Sequence, residues 1–179
     1  LTDADDGIGQ VLTFGGTVAL GAFDIRAEMA EGLGGLGTAD MRLIASLEAA
    51  DALAAQEGLG LGTAELFSGD DALVGSIFFE GNGPEGFEGR VALSQGNRML
   101  SYFGGIDLTD GGVVSGEGTL ELAIEPGSGL AALAGADGVS LGAVDATASL
   151  RFSGVDSLSL TNISAVVGDS GVQGEVTMR

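Results

Sequence analysis

Apolar and polar residues alternate with a period of two along most of the chain, most clearly toward its end. Between Val144 and Ser153, the side chains of Val144, Ala146, Ala148, Leu150 and Phe152 fall on one side. Those of Asp145, Thr147, Ser149, Arg151 and Ser153 fall on the other. Successive side chains of a strand point to opposite faces, so this run predicts a strand with one apolar and one wet face. Leu158 and Leu160 keep one phase while Ile163, Ala165 and Val167 keep the opposite one, which requires an extra residue, a bulge, near Thr161 and Asn162. Gly168-Asp169-Ser170-Gly171 then reads as a turn, and beyond it Val172, Val176 and Met178 alternate with Gln173, Glu175 and Thr177.

The same pattern predicts earlier strands over 17–29, 38–49, 60–67, 73–80, 87–95, 98–109 and 113–125. Glycine-rich or Asp-Gly turns separate them, such as Gly81-Asn82-Gly83-Pro84 and Asp110-Gly111-Gly112. Strands this close in sequence pair antiparallel, so the expected fold is all-β, a long antiparallel meander. Ala50 to Glu57 and Ser128 to Ala134 do not alternate, and each reads as one or two helical turns between strands. Leu36-Gly-Thr-Ala-Asp40 recurs as Leu61-Gly-Thr-Ala-Glu65 and Leu141-Gly-Ala-Val-Asp145, with Phe-Ser-Gly following at Phe67 and again at Phe152. Approximate repeats near 36–69 and 128–179 follow from this, inside one β-rich unit spanning 1–179 with no linker to divide it.

Composition narrows the function. Of 179 residues, 26 are acidic and 6 basic, a net charge of −20 with no histidine to offset it. A phosphate backbone needs a cationic patch, and six arginines scattered along the chain do not make one, so nucleic acid is excluded as a partner. The same charge repels an anionic bilayer surface. Without Cys or His there is no thiolate or imidazole zinc site and no Ser-His, Cys-His or His-based acid/base chemistry. The apolar fraction of 45% is that of a folding chain. The 34 glycines oppose long helices and suit turns, bulges and strand positions where something packs closely.

Carboxylates are the abundant reactive groups, yet none assembles a site by its spacing. Asp3, Asp5 and Asp6 open like a calcium loop, but counting from Asp3 the sixth place, where the loop needs glycine, holds Ile8. Gly34 to Asp40 resembles a β-roll nonapeptide with its Asp displaced and no tandem copy. Pairs such as Glu121 and Glu125 lie on the polar face of one strand, with one tyrosine and no tryptophan in the chain to form a sugar platform. No phosphate-binding glycine loop can be assembled. The expectation is a protein with no catalytic residues, no cofactor and no metal.

The apolar face is the remaining feature. Leu43, Ala45, Leu47, Ile77, Phe79, Val91, Leu93, Leu120, Leu122, Ile124, Leu150 and Phe152 fall on one side of the expected sheet. Such a face must be buried against something. Inserts of seven or eight residues cannot cover many strands, so the sheet folds on itself, packs on a neighbour or holds an apolar ligand.

Leu158-Ser-Leu-Thr-Asn-Ile-Ser-Ala-Val-Val-Gly168-Asp-Ser-Gly-Val-Gln-Gly174-Glu-Val-Thr-Met-Arg179 resembles the repeating hairpin of the AsmA family, the TamB-related proteins of Gram-negative bacteria. The shared elements are an alternating strand, a glycine turn, then apolar-x-Gly-x-apolar. Ala148 to Gly154 resembles the strand leading into that hairpin, and Gly86 to Leu93 is similar to other parts of such proteins. The resemblance implies that the meander curls into an open, taco-like groove in a periplasmic protein, held to the inner membrane by an anchor outside this sequence. Its expected partners are phospholipid acyl chains or outer-membrane protein cargo, together with neighbouring β-repeats. The expected groove lining is Leu43, Leu47, Ile77, Phe79, Val91, Leu93, Leu120, Leu122, Ile124, Leu150, Phe152 and Val176. The alternative is a self-packed repetitive β-solenoid or adhesin-type segment.

Overall fold

The computed structural model describes residues 9–18, 21–32, 38–52, 54, 55, 66, 67, 70–108, 114–133, 139–154 and 157–178. Ten strands form one sheet in chain order: β1 (Gln10–Val18), β2 (Gly21–Met29), β3 (Met41–Ala49), β4 (Leu73–Asn82), β5 (Gly86–Gln95), β6 (Arg98–Leu108), β7 (Val114–Ile124), β8 (Val144–Ser153), β9 (Ser157–Val167) and β10 (Ser170–Met178). All neighbours are antiparallel, and the sheet is not closed into a barrel. The all-β meander read from the alternation is therefore the fold. A six-residue helix, α1 (Ser128–Leu133), lies between β7 and β8.

Tight turns set this topology. Gln95 pairs with Arg98 across a two-residue loop, and Val167 pairs with Ser170 across another. Gly96 and Gly168 in these loops have φ of 55° and 58°, where a side chain is strained. The second loop is tighter than the four-residue turn read from the sequence, because Ser170 already pairs in β10.

Two local expectations change. Residues 17–29 were expected as one strand, but β1 ends at Val18 and β2 starts at Gly21, making two. The earlier strand is hidden because Gly15 and Gly16 interrupt its apolar alternation. Leu66 and Phe67, expected at the end of a strand over 60–67, lie instead in a bend and are buried. The Ala50 to Glu57 insert is helical at Ala52, Ala54 and Ala55. Asp51 starts this turn, its carboxylate accepting the Ala54 N–H at 3.0 Å and its carbonyl the Ala55 N–H at 3.1 Å. Asp3 to Gly7, residues 34–37 of the glycine turn and the repeat copy at 61–65 lie outside the described residues.

The bulge is where the phase change placed it. Thr147 pairs with Ser164 and Ser149 with Thr161, so two residues of β9 face Ala148 alone. Asn162 sits in the bulge with φ 52°, a conformation Asn tolerates better than most residues. The extra residue keeps Leu158, Leu160, Ile163, Ala165 and Val167 on one face.

The closed core sits at one end of the strands. Ala49, Leu73 and Ile124 meet Ala52, Ala55, Leu66 and Phe67 from the insert after β3. Leu93, Leu100, Leu122 and Leu130 of α1 pack around them. Phe67, fully buried at 0% exposure, plugs this end of the inner face.

Candidate functional site

The strand registers place all twelve expected lining residues on one face, here the inner face. Leu47, Gly75, Leu93, Leu100 and Leu122 are successive cross-strand partners from β3 to β7. The next row runs Ile25, Ala45, Ile77, Val91, Tyr102 and Leu120. A third runs Leu43, Phe79, Gly89, Gly104, Gly118, Leu150, Leu160 and Val176. Phe152 pairs with Gly116 and Leu158, and Ile124 with Val144.

Sharing a face does not bring these residues to one site. Leu47, Ile77, Val91 and Leu93 line a trough of about 450 Å³ across β2 to β6, completed mainly by Phe23, Ile25, Ala45, Gly75 and Leu100. Gly75 opens its floor, since a Cβ there would sit 3.2 Å from the Leu93 side chain and 3.4 Å from Leu47. Leu122 and Ile124 belong to the closed core, with Ile124 fully buried. Phe79 is buried one row over, Leu43 and Leu120 are half-buried, and Val176 is exposed on edge strand β10. Phe23, Ile25 and Leu100 are lining residues the sequence reading did not single out. Phe23-x-Ile25 and Leu100-x-Tyr102 alternate in phase with their neighbours, and that was the available signal.

Past the trough the inner face is filled by aromatic rings lying on glycines. A Cβ at Gly104 would meet the Glu117 carbonyl, the Gly118 Cα at 2.5 Å and the Tyr102 hydroxyl at 2.8 Å. One at Gly118 would meet the Phe103 carbonyl and the Tyr102 ring at 2.8 Å, and one at Gly89 the Phe78 carbonyl and the Phe79 ring at 2.6 Å. At Gly89, Gly104 and Gly118 the backbone of the neighbouring strand occupies the space a side chain would need. Tyr102 closes over this line. Its hydroxyl donates to the Gly105 carbonyl at 2.7 Å, and its ring meets Phe152 edge-on. Burial, with the negative charges of Glu117 and Asp107 adding to it, raises the Tyr102 pKa, so the phenol stays a neutral donor.

The outer face carries the charge. Arg26 pairs with Glu28 at 2.7 Å, Arg42 bridges Glu28 and Glu80 at 3.6 and 3.3 Å, and Arg151 pairs with its cross-strand partner Glu117 at 2.7 Å. This face is not uniformly wet: Ile44, Phe78 and Phe103 are exposed on it, with the Arg42 guanidinium 5.9 Å from the Phe78 ring. Among the described residues no three Asp or Glu side chains converge as a metal site. A trough built this way offers apolar surface. Comparison with family models, with curated proteins and with solved structures gives no match.

Proposed function

We propose that this chain is a non-enzymatic segment of an AsmA-like β-groove protein, one that shelters phospholipid acyl chains in transit through the periplasm. The observation that carries this reading is the trough over β2 to β6. Its side chains are apolar and only half-buried, in a protein with a net charge of −20. Apolar area removed from water stabilises a bound chain by about 25 cal/mol per Å². A lining with no charged group gives that gain to any acyl chain without selecting a headgroup. The open edges at β1 and β10 suit the neighbouring β-repeats expected of such a protein. Outer-membrane protein cargo is the variant of the same reading in which an apolar strand replaces the lipid tail.

A self-packed structural segment is the second reading, favoured by the Phe67 core and by the rings that fill the face around Gly104. Photo-crosslinking separates the two. Vesicles of phosphatidylcholine carrying a photoreactive acyl chain are mixed with the purified protein and irradiated. The groove reading expects adducts on β2 to β5, lost in Ile77→Asp and kept in Phe78→Asp, whose side chain lies on the outer face. Absence of adducts from the folded wild type favours the self-packed segment.

A further inference from the structure

Independently of the acyl-chain reading, we propose that the outer face over β3 to β6 is a docking surface for an amphipathic helix of a protein partner, one carrying a carboxylate within its apolar stripe. Two rows of direct cross-strand partners make the surface: Ile44, Phe78, Arg90 and Phe103 in one, Ser46, Ser76, Ala92 and Ser101 in the other. Ile44 is 40% exposed, Phe78 39% and Phe103 66%, an apolar patch with Arg90 set in it. Patches of this kind mark interaction sites, unlike single scattered apolar residues. The half-buried Ala92 and the buried Ser101 keep the floor beside the rings low.

Charge singles out the same place. In a chain with 26 acidic residues these two rows hold none, while Asp24, Glu48, Glu80, Glu88 and Glu121 stand on the neighbouring outer-face positions. Arg26, Arg42 and Arg151 are paired with carboxylates, and Arg98 donates to the Glu125 carbonyl. Among the described arginines Arg90 alone has no such partner, although it is exposed between Phe78 and Phe103. A docked carboxylate completes Arg90, and the two rings exclude water around the pair. The framing carboxylates repel an acid placed anywhere else and attract basic side chains at the rim, which fixes the register of the partner.

Spacing chooses the form of the partner. Phe78 and Phe103 stand on either side of Arg90, two strand spacings or about 9.5 Å apart. Side chains seven places apart on a helix are separated by about 10.5 Å, and a residue three or four places along lies between them on the same side. Same-face side chains of an extended strand fall at about 7 or 13.5 Å and miss the pair. Area argues against a second copy of the chain. Four strands by two rows offer on the order of 300 Å², against about 800 Å² per partner in a stable interface, which suits two or three turns of one helix.

The test is selection of a phage-displayed library of helical peptides, randomised at every outward position, against the whole chain, followed by fluorescence anisotropy of the enriched peptide. Enriched sequences are expected to share two apolar residues seven places apart, with an Asp or Glu three or four places after the first. Replacing that acid by its amide should weaken binding to wild type about fivefold and make no difference with Arg90→Gln. Phe103→Ala, at an exposed position, should weaken binding about tenfold. Arg151→Gln, on the same face but outside the surface, should bind as wild type does. No enrichment, enrichment without the acid, or acid and amide peptides that bind wild type equally overturns the proposal. So does a peptide whose binding neither Arg90→Gln nor Phe103→Ala changes, because it sits elsewhere. Phosphatidylglycerol vesicles bound in place of any peptide, and released by Arg90→Gln, would make the surface a membrane contact and overturn the helix. The acyl-chain reading stands or falls separately, since the trough lies on the opposite face.

Discussion

Tyr102 and Phe152 lie two strands apart, yet their rings meet edge-on with centroids 6.2 Å apart and planes at 66°. The contact is possible because β7, which lies between them, presents Gly116 and Gly118 to this face. A Cβ at Gly116 would sit 2.7 Å from the Phe152 ring and one at Gly118 2.8 Å from that of Tyr102. The glycines are thus part of the packing, and their absent side chains are what the rings occupy.

A double-mutant cycle on this pair is expected to show coupling. Edge-to-face rings contribute about 0.5–1.5 kcal/mol beyond their buried area, so Tyr102→Leu and Phe152→Leu together should cost less than the sum of the two singly by about that amount. Urea unfolding of the four proteins measures it.

Glycine substitutions should divide by location. Gly104→Ala and Gly118→Ala force a Cβ into neighbouring backbone, at an expected cost of about 2–3 kcal/mol as for an overpacked core. Gly171→Ala, with nothing within 4 Å of its Cβ, should be neutral or stabilising by about 0.4–1 kcal/mol through the unfolded chain. Thermal melting of the three variants distinguishes them.

Much of the fold was legible in the sequence because burial on one face and water on the other leave a two-residue period. The alternation from Val144 to Val167 located β8, β9 and the Asn162 bulge, since an extra residue inverts the phase of everything after it. Glycine carries no such signal. Gly15 and Gly16 concealed β1, and the line Gly89, Gly104, Gly118 read only as composition until the register placed three glycines side by side under aromatic rings. The site was half legible for the same reason. Alternation assigns a face, so it put Ile77 and Ile124 together, but it cannot tell which part of that face a distant insert covers. Phe67 covers Ile124 and leaves Ile77 half-open.

The Phe67 plug should account for much of the stability. Phe67→Ala is expected to cost about 3–5 kcal/mol, the usual loss for a fully buried phenylalanine. Phe14→Ala, at an exposed edge position, should stay within about 0.5 kcal/mol of wild type. Denaturant midpoints report both.

Alkaline pH should unfold the protein partly through Tyr102. Its pKa is raised above the ordinary value of 10.0, so between the unfolded and folded values the native state holds a proton that the unfolded state has released. That contribution is fully present below the unfolded pKa and is lost as pH rises through the folded one. Tyr102 is the one tyrosine of the chain, so tyrosinate absorbance follows it directly and should titrate above its unfolded value. Tyr102→Phe is expected to flatten the fall of stability above pH 10.0.

Apolar chains that enter the inner face meet Ile77, while its neighbour Phe78 stays outside. The chain has no cysteine, so Ile77→Cys and Phe78→Cys each accept a single environment-sensitive fluorophore. Adding palmitoyl-lysophosphatidylcholine to the two labelled proteins is the most direct measurement. A blue shift that saturates at position 77, with none at position 78, is expected; equal shifts at both, or no shift at 77 in the folded protein, would mean that acyl chains do not enter the inner face.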